Sequence, residues 1–472
     1  MPNEKIWHFT LLALSLHRNM DNRKSTLALG TKPVGKLLMQ YATPAIAAMV
    51  ASSLYNMIDS IFIGQGVGPM AISGLAITFP FMNLSGAFGA AIGVGASTTL
   101  SVRLGQRDYR TAQKILGNTV VLNTIIGILF GVTCLVFLEP ILRIFGATDN
   151  TLPYANEYMT VLLLGSVITY QYFGLNAVLR AASKPHMAMY VTIFTVVLNT
   201  ALDPLFIYVF DMGIRGAALA TILAQALALT WQLRVFSDNR EMLHFQKGCY
   251  KLDVDIVKNI IAIGMSPFSM NACACIIVIF INTTLVRHGG DIAVGAFGIA
   301  HRIGFVFFMI VMGINQGMQP IAGYNYGAGN YNRMMQVLKL SILTATVVMT
   351  TGWLIGEVAP VYCARLFTND RQLTEIAAHG IRISMLCFPL IGFQAVTTNF
   401  FQSIGKAKIS IFLSLSRQMI FLLPLLIILP VRMGEDGVWW ALPASDATAF
   451  FTTLTILIAY IRKIKPKQAT NV

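Results

Sequence analysis

Asn199 and Asp203 stand four residues apart in a run, from about residue 187 to 210, that is otherwise almost wholly apolar. On a helix that spacing puts the amide and the carboxylate on one face. A second lone carboxylate, Asp59, lies in another apolar run, with Tyr55 four residues before it. An ionised side chain several turns deep in hydrocarbon is costly unless it is paired or hydrated. The two acids are therefore read together, as members of one polar pocket within a membrane. Two carboxylates confined in low dielectric repel each other, which favours holding a proton between them. Oxygen ligands beside them would alternatively suit a hard cation such as Na+. Either event removes charge and lets the helices pack closer; its reversal reopens an anionic cavity that attracts a cationic solute. Pro204 frees the carbonyl four residues back and favours a bend, so it is read as a hinge.

The elements that must position these acids are membrane helices. Of 472 residues, 56% are hydrophobic and only 11% charged, against about 25% charged in soluble chains. Apolar runs long enough to cross a bilayer recur along the whole length. The expected fold is an all-α membrane protein with twelve transmembrane helices, at about 40–64, 71–97, 114–137, 157–182, 187–209, 214–235, 256–285, 292–322, 334–357, 375–403, 408–430 and 437–461. Threading these with the N-terminus inside places 25 of the 34 Lys and Arg on the inner side. Six fall outside (Arg143, Arg215, Arg287, Arg365, Arg371, Arg432). The positive-inside rule thus supports an even span number with both termini cytoplasmic. The net charge of +14 is topological, facing anionic lipid rather than nucleic acid. The six cysteines are scattered; Cys273-x-Cys275 has neither partner histidines nor a second pair, so no zinc site is expected. No Walker motif appears, which argues against ATP drive.

The chain repeats itself. Gly95 through Tyr109 matches Gly317 through Tyr331 without gaps, Leu179–Lys184 falls in register with Phe401–Lys406, Pro44 pairs with Pro267, and Asp203-Pro204-Leu205 with Leu423-Pro424-Leu425. Two six-span repeats follow, an N-lobe at 38–235 and a C-lobe at 256–461. A cytoplasmic linker at 236–255 joins them, with tails at 1–37 and 462–472. Parallel repeats of this kind are a transporter plan. Ile6 to Leu16 is too short to span and precedes no small-residue cleavage site, and Met20 begins a polar stretch that reads as a natural start of translation. The halves differ where charge is concerned: Asp59 corresponds to Asn282 and Asp203 to Leu423. A pocket needed for packing alone would have survived in both copies.

Other intramembrane charges are Asp446 on span 12, Arg417 on span 11 and Arg302 on span 8, read as a structural ion network; the first-half counterparts of Asp446 and Arg417 lie near Gln225 and Thr195. Met57, Phe81 and Phe173 would suit planar apolar cations if they line a cavity. The glycines on span 2 (Gly86, Gly89, Gly93, Gly95), Gly127/Gly131 and Gly323/Gly327 are read as close-packing positions. The leading function is secondary multidrug efflux. The alternative is a lipid or lipid-linked sugar flippase on the same repeat plan, which would call for cationic side chains along its cavity to hold a diphosphate. A channel would need repeated polar rings, and an enzyme clustered ligands; the seven histidines are dispersed.

Five stretches make the chain resemble a known family. They are Pro44 through Gly64 with Tyr55-Asn56-x-x-Asp59, Arg103-x-Gly105, Leu198-Asn199-x-x-x-Asp203-Pro204, Gly216-Ala217-Ala218-x-Ala220-Thr221, and Gln316-Gly317-x-x-Pro320-Ile321-x-Gly323-Tyr324-Asn325-Tyr326-Gly327. In order, in a chain of two times six spans, they resemble the multidrug and toxic compound extrusion (MATE) transporters, nearest to the branch of the DNA-damage-inducible and staphylococcal multidrug members. The resemblance implies a V-shaped pair of lobes and antiport of drugs against H+ or Na+ between outward- and inward-open forms. It implies an N-lobe cation (H+ or Na+) site of Asp59, Asn199, Asp203 and Thr221, with Tyr55, Asn176 and Tyr158 at neighbouring polar positions of the cavity. It also implies small-molecule drugs or organic cations as partners besides membrane lipid, no cofactor beyond the coupling ion, a monomer, and an inner-membrane location. One branch of the family carries a Glu on span 7 and an Asp on span 10. Here neither span holds an internal acid, since Glu375 sits near the outer mouth of span 10, which leaves coupling to the N-lobe.

Overall fold

The computed structural model describes residues 26–67, 69–368 and 370–469, and among them there is no strand. The initiation site read at Met20 lies outside the described residues. Ten helices are long and apolar enough to cross a membrane. Two further crossings are bent pairs, Leu152–Leu164 with Ser166–Ala181 at 57° and Arg371–Met385 with Phe388–Ser403 at 51°, and counting each pair as one span gives twelve. Span 1 is Val34–Gly66, span 2 Pro69–Gly105, span 3 Tyr109–Val136, span 5 Pro185–Pro204 and span 6 Gly213–Ser237. Spans 7 and 8 run Val254–Gly290 and Ile292–Gly327, parted at Gly290, whose φ of 70° ends one helix and begins the next. Span 9 is Tyr331–Val358; span 11 runs from Ala407 to Met433 and span 12 from Glu435 to Ala469.

The internal repeat is written into the backbone. The two bent spans, 4 and 10, break at Gly165 and at Leu386–Cys387, equivalent points that the sequence reading treated as unbroken. Left-handed residues recur in register as well, Arg107 (φ 62°) with Gly329 (73°) and Ser183 (64°) with Gly405 (74°). Each lets the amide one residue on reach back to a carbonyl five positions earlier, as in Lys184 N to Leu179 O (3.0 Å) and Lys406 N to Phe401 O (2.8 Å). That is the capping geometry of a helix C-terminus. The second half uses glycine there, and the first tolerates a side chain.

The chain divides into two compact units whose borders differ from those expected. The first contains residues 26–37 with Ala51–Gly264 and Gly323–Asn330; the second contains Leu38–Val50, Met265–Ala322 and the chain from Tyr331 onward. Within the first unit the linker is tied down by Asn118, which is fully buried. Its amide donates to the carbonyls of Cys249 (3.3 Å) and Lys251 (3.0 Å) and accepts from Asp253 N (2.9 Å). Lys114–Asp253 (3.2 Å) and Lys184–Glu241 (2.6 Å) add ion pairs, and the Lys114 bond holds the Asp253 carboxyl below its usual range. Asp253 then caps span 7 by accepting from Asp255 N. Val254–Gly264 follows the linker because a Cβ on Gly95 would meet Ile260 O at 2.0 Å and one on Gly264 would meet Ala91 O at 2.3 Å, so the two backbones touch. In the second unit Leu38–Val50 packs the same way, with Gly313 against Ile46 and Gly317 against Ala42.

Within the first unit the repeat-related glycines Gly105 and Gly327 are packed reciprocally. A Cβ on the former would lie 2.0 Å from Tyr324 O, and one on the latter 2.0 Å from Val102 O. Rigid backbone cannot yield as a flexible side chain would. Gly327→Ala is expected to cost about 1–3 kcal/mol, read as a lowered midpoint in thermal unfolding of the purified protein. Gly86→Ala is the control, since nothing lies within 4 Å of that position, and an equal loss there would contradict the packing account.

Candidate functional site

Asp203 ends the run of span 5 that begins after the loop at Lys184, and is fully buried. Its neighbour one turn back, Asn199, is 1% exposed and donates from Nδ2 both to Asp203 Oδ1 (3.2 Å) and to Thr221 Oγ1 on span 6 (3.3 Å). Thr221 in turn donates to Ala217 O (3.1 Å), one turn earlier on its own helix. Asp59 on span 1 is 5% exposed, and its carboxylate lies close enough to Asp203 for the two to interact electrostatically. All four residues belong to the first unit.

Three oxygens of this cluster, Asp59 Oδ1, Asn199 Oδ1 and Asp203 Oδ2, are buried without a hydrogen-bond donor among the described residues. Buried acceptors are ordinarily satisfied, and leaving one unpaired costs about 1–3 kcal/mol. Two carboxylates, an amide and a hydroxyl in one enclosed spot form a set of hard oxygen donors. Such a set fits a bound proton or an alkali cation by the same chemistry.

The elements around the cluster are irregular where it sits. Immediately after Pro204 the helix opens into a wide π-turn, Leu205–Val209. Turns of this kind are rare and gather at functional sites. Tyr208 on it donates to Phe62 O on span 1 (3.3 Å) and stacks edge-on with the Phe62 ring, three residues from Asp59. A Cβ on Gly216 would touch the backbone of Phe206, so span 6 closes on the same turn. The turn is thus wedged between the two spans that carry Asp59 and Thr221. The sequence offered only the proline as a sign of it. In the second unit the order is reversed: the π-turn Ser416–Leu422 precedes Pro424.

Several expected cavity residues are placed differently. Tyr158 is fully buried in an apolar cluster with Ile63, Leu75, Leu163 and Ile214, so it packs the helix core and lines no open wall. Phe81 is also core, 2% exposed and against the rings of Phe130 and Phe145. Asn176 is consumed as a brace between spans 4 and 5, donating to Ala188 O (3.0 Å) and Thr192 Oγ1 (3.3 Å) while accepting from Arg180. Phe173 is exposed, at 41%. The side chains of Tyr55 and Met57 lie outside the described residues. Sequence reading missed Asn123 on span 3, fully buried with neither amide atom bonded, its room provided by Gly174.

Of the expected ion network in the second unit, Arg417 Nε donates to Asp446 Oδ1 at 2.7 Å. Arg302 is exposed and, among the described residues, joins neither. It sits about ten residues into span 8, on a face turned away from that pair.

Comparison with known proteins yields a match of the MatE family model to residues 44–205 and again to 267–428, one copy per repeat. The multidrug export protein MepA of Staphylococcus haemolyticus is 26% identical over 92% of this chain and 96% of its own. Among solved structures, the MATE multidrug transporter DinF-BH, solved with a drug bound, is 36% identical over 91% of this chain and 96% of its own, with a TM-score of 0.84. An outward-facing multidrug resistance MATE family transporter of the MOP superfamily shares the fold at a TM-score of 0.88, 24% identical over 94% of this chain and 99% of its own.

Proposed function

Because the chain belongs to the MatE family of MATE multidrug transporters, we propose that it exports organic cations or other amphipathic compounds in exchange for H+ or Na+ by alternating access. The coupling ion binds at Asp59 and Asp203, with Asn199 and Thr221 as flanking oxygen donors. The observation that carries this reading is the enclosed pair of interacting carboxylates with three buried oxygens lacking donors. Loading the ion neutralises the pair and lets spans 1, 5 and 6 close on the π-turn beside Pro204. Losing it leaves two like charges in low dielectric, a state relieved by opening the spans and admitting water or a cationic solute. In the conformation described both carboxylates are shut from solvent, so exchange requires the spans to part. MepA is a multidrug export protein, and DinF-BH was solved with a drug bound, which supports small organic solutes as cargo here. The basic excess on inner loops supports an inner-membrane protein with both termini cytoplasmic, working as a monomer.

The test is efflux of a fluorescent organic cation from proteoliposomes with proton and sodium gradients imposed separately. One of the two gradients is expected to drive accumulation against the dye's own gradient. Equal rates with neither, either or both would contradict ion coupling.

A further inference from the structure

The second unit holds a charge pair whose geometry exceeds what neutralisation requires. Arg417 Nε meets Asp446 Oδ1 at 2.7 Å, with the carboxylate side chain 3% exposed and the arginine 30%. The bond uses one end of the guanidinium. Among the described residues Nη1 and Nη2 have no acceptor, and neither is among the atoms closed off from solvent. An arginine serving only to neutralise a buried acid is best used fork to fork, with two parallel N–H···O bonds. Here Asp446 pins the near end and leaves the outer edge open.

Depth decides what that edge can meet. Arg417 is ten residues into the helix starting at Ala407, about 15 Å at 1.5 Å per residue, or half the thickness of a roughly 30 Å hydrocarbon core. Headgroups of neither leaflet lie near it, and a charge at mid-depth belongs in the protein interior or a wet cavity. The residue also sits on the π-turn Ser416–Leu422, the feature that in the first unit adjoins the acid cluster. Packing does not require charge here. The first-repeat counterparts are neutral and locally satisfied: Thr195 donates to Val191 O (2.9 Å), and Gln225 accepts from Thr169 (2.6 Å).

We propose that the Nη edge of Arg417, positioned by Asp446, is a binding site in the second unit for the carboxylate of an organic solute. The planar fork of a guanidinium matches a carboxylate bidentately, which an ammonium cannot. The site rests on the exporter reading only in supposing that solutes reach the interior of this unit.

It is tested by equilibrium binding of a xanthene dye to the purified full-length protein, once as the free carboxylate and once as its ethyl ester, followed by fluorescence polarisation. Arg417→Lys keeps the charge pair and loses the fork. It is expected to weaken the carboxylate dye about tenfold while shifting the ester less than twofold. Asp446→Asn leaves the arginine without a competing charge and is expected to tighten the carboxylate dye alone, which decides the matter if the lysine variant folds poorly. Equal shifts for both dyes, or none for the carboxylate form in either variant, would overturn the site. No gradient enters this measurement, so its failure leaves ion coupling standing, and a loss of coupling leaves the dye discrimination intact.

Discussion

Asp203→Asn is expected to abolish gradient-driven efflux, lowering its rate at least about a hundredfold while leaving the amount of protein in the membrane unchanged. The substitution is isosteric, and the amide can still meet Asn199, whose Nδ2 is 3.2 Å from Oδ1. What it removes is the negative charge that repels Asp59 and calls for an ion. A residue that only caps or bridges helices would tolerate the change with little loss of transport. One that carries the coupling ion cannot, because neutral asparagine has nothing to exchange. Asp59→Asn is expected to behave alike, since each acid is burdened by the other. The check compares rates of ion-driven and purely downhill dye movement in the same proteoliposomes. Downhill movement surviving in a variant that has lost driven movement marks uncoupling; retention of both rates would remove the assigned role.

The second large effect concerns stability. Arg417→Met strands the Asp446 carboxylate, 3% exposed, without its partner. Breaking a buried pair in this one-sided way costs about 3–5 kcal/mol. Arg417→Met/Asp446→Leu removes both charges and replaces them by apolar groups, so it is expected to recover most of that loss. Thermal unfolding of the purified variants measures both. A double variant no more stable than the single one would show that the pair does not act as a pair.

How much of this was legible in the residues depends on what kind of signal each feature leaves. Spans are long apolar runs, so their number and order were readable, and the repeat was readable from matched stretches such as Gly95–Tyr109 and Gly317–Tyr331. Asp59, Asn199, Asp203 and Thr221 come together because a lone polar residue in an apolar helix has few places to go. The breaks at Gly165 and at Leu386–Cys387 left no mark, since no proline stands at either bend and hydropathy runs straight through them. The unit borders were equally hidden. They follow backbone contacts such as Gly95 on Ile260, which depend on where a glycine faces, and a glycine's direction is not in its letter. Tyr158 and Asn176 were misplaced because a polar atom on a large or amide side chain can be satisfied inside a helix bundle as readily as on a cavity wall.

The central claim is that Asp59 and Asp203 hold one exchangeable ion that a cationic solute displaces. It is tested most directly by adding an organic cation to the purified protein in weakly buffered solution while a pH indicator and a sodium-sensitive dye report what is released. About one ion per bound solute is predicted for the unaltered chain, and none for the Asp59→Asn/Asp203→Asn variant. Undiminished release from that double variant would contradict the account.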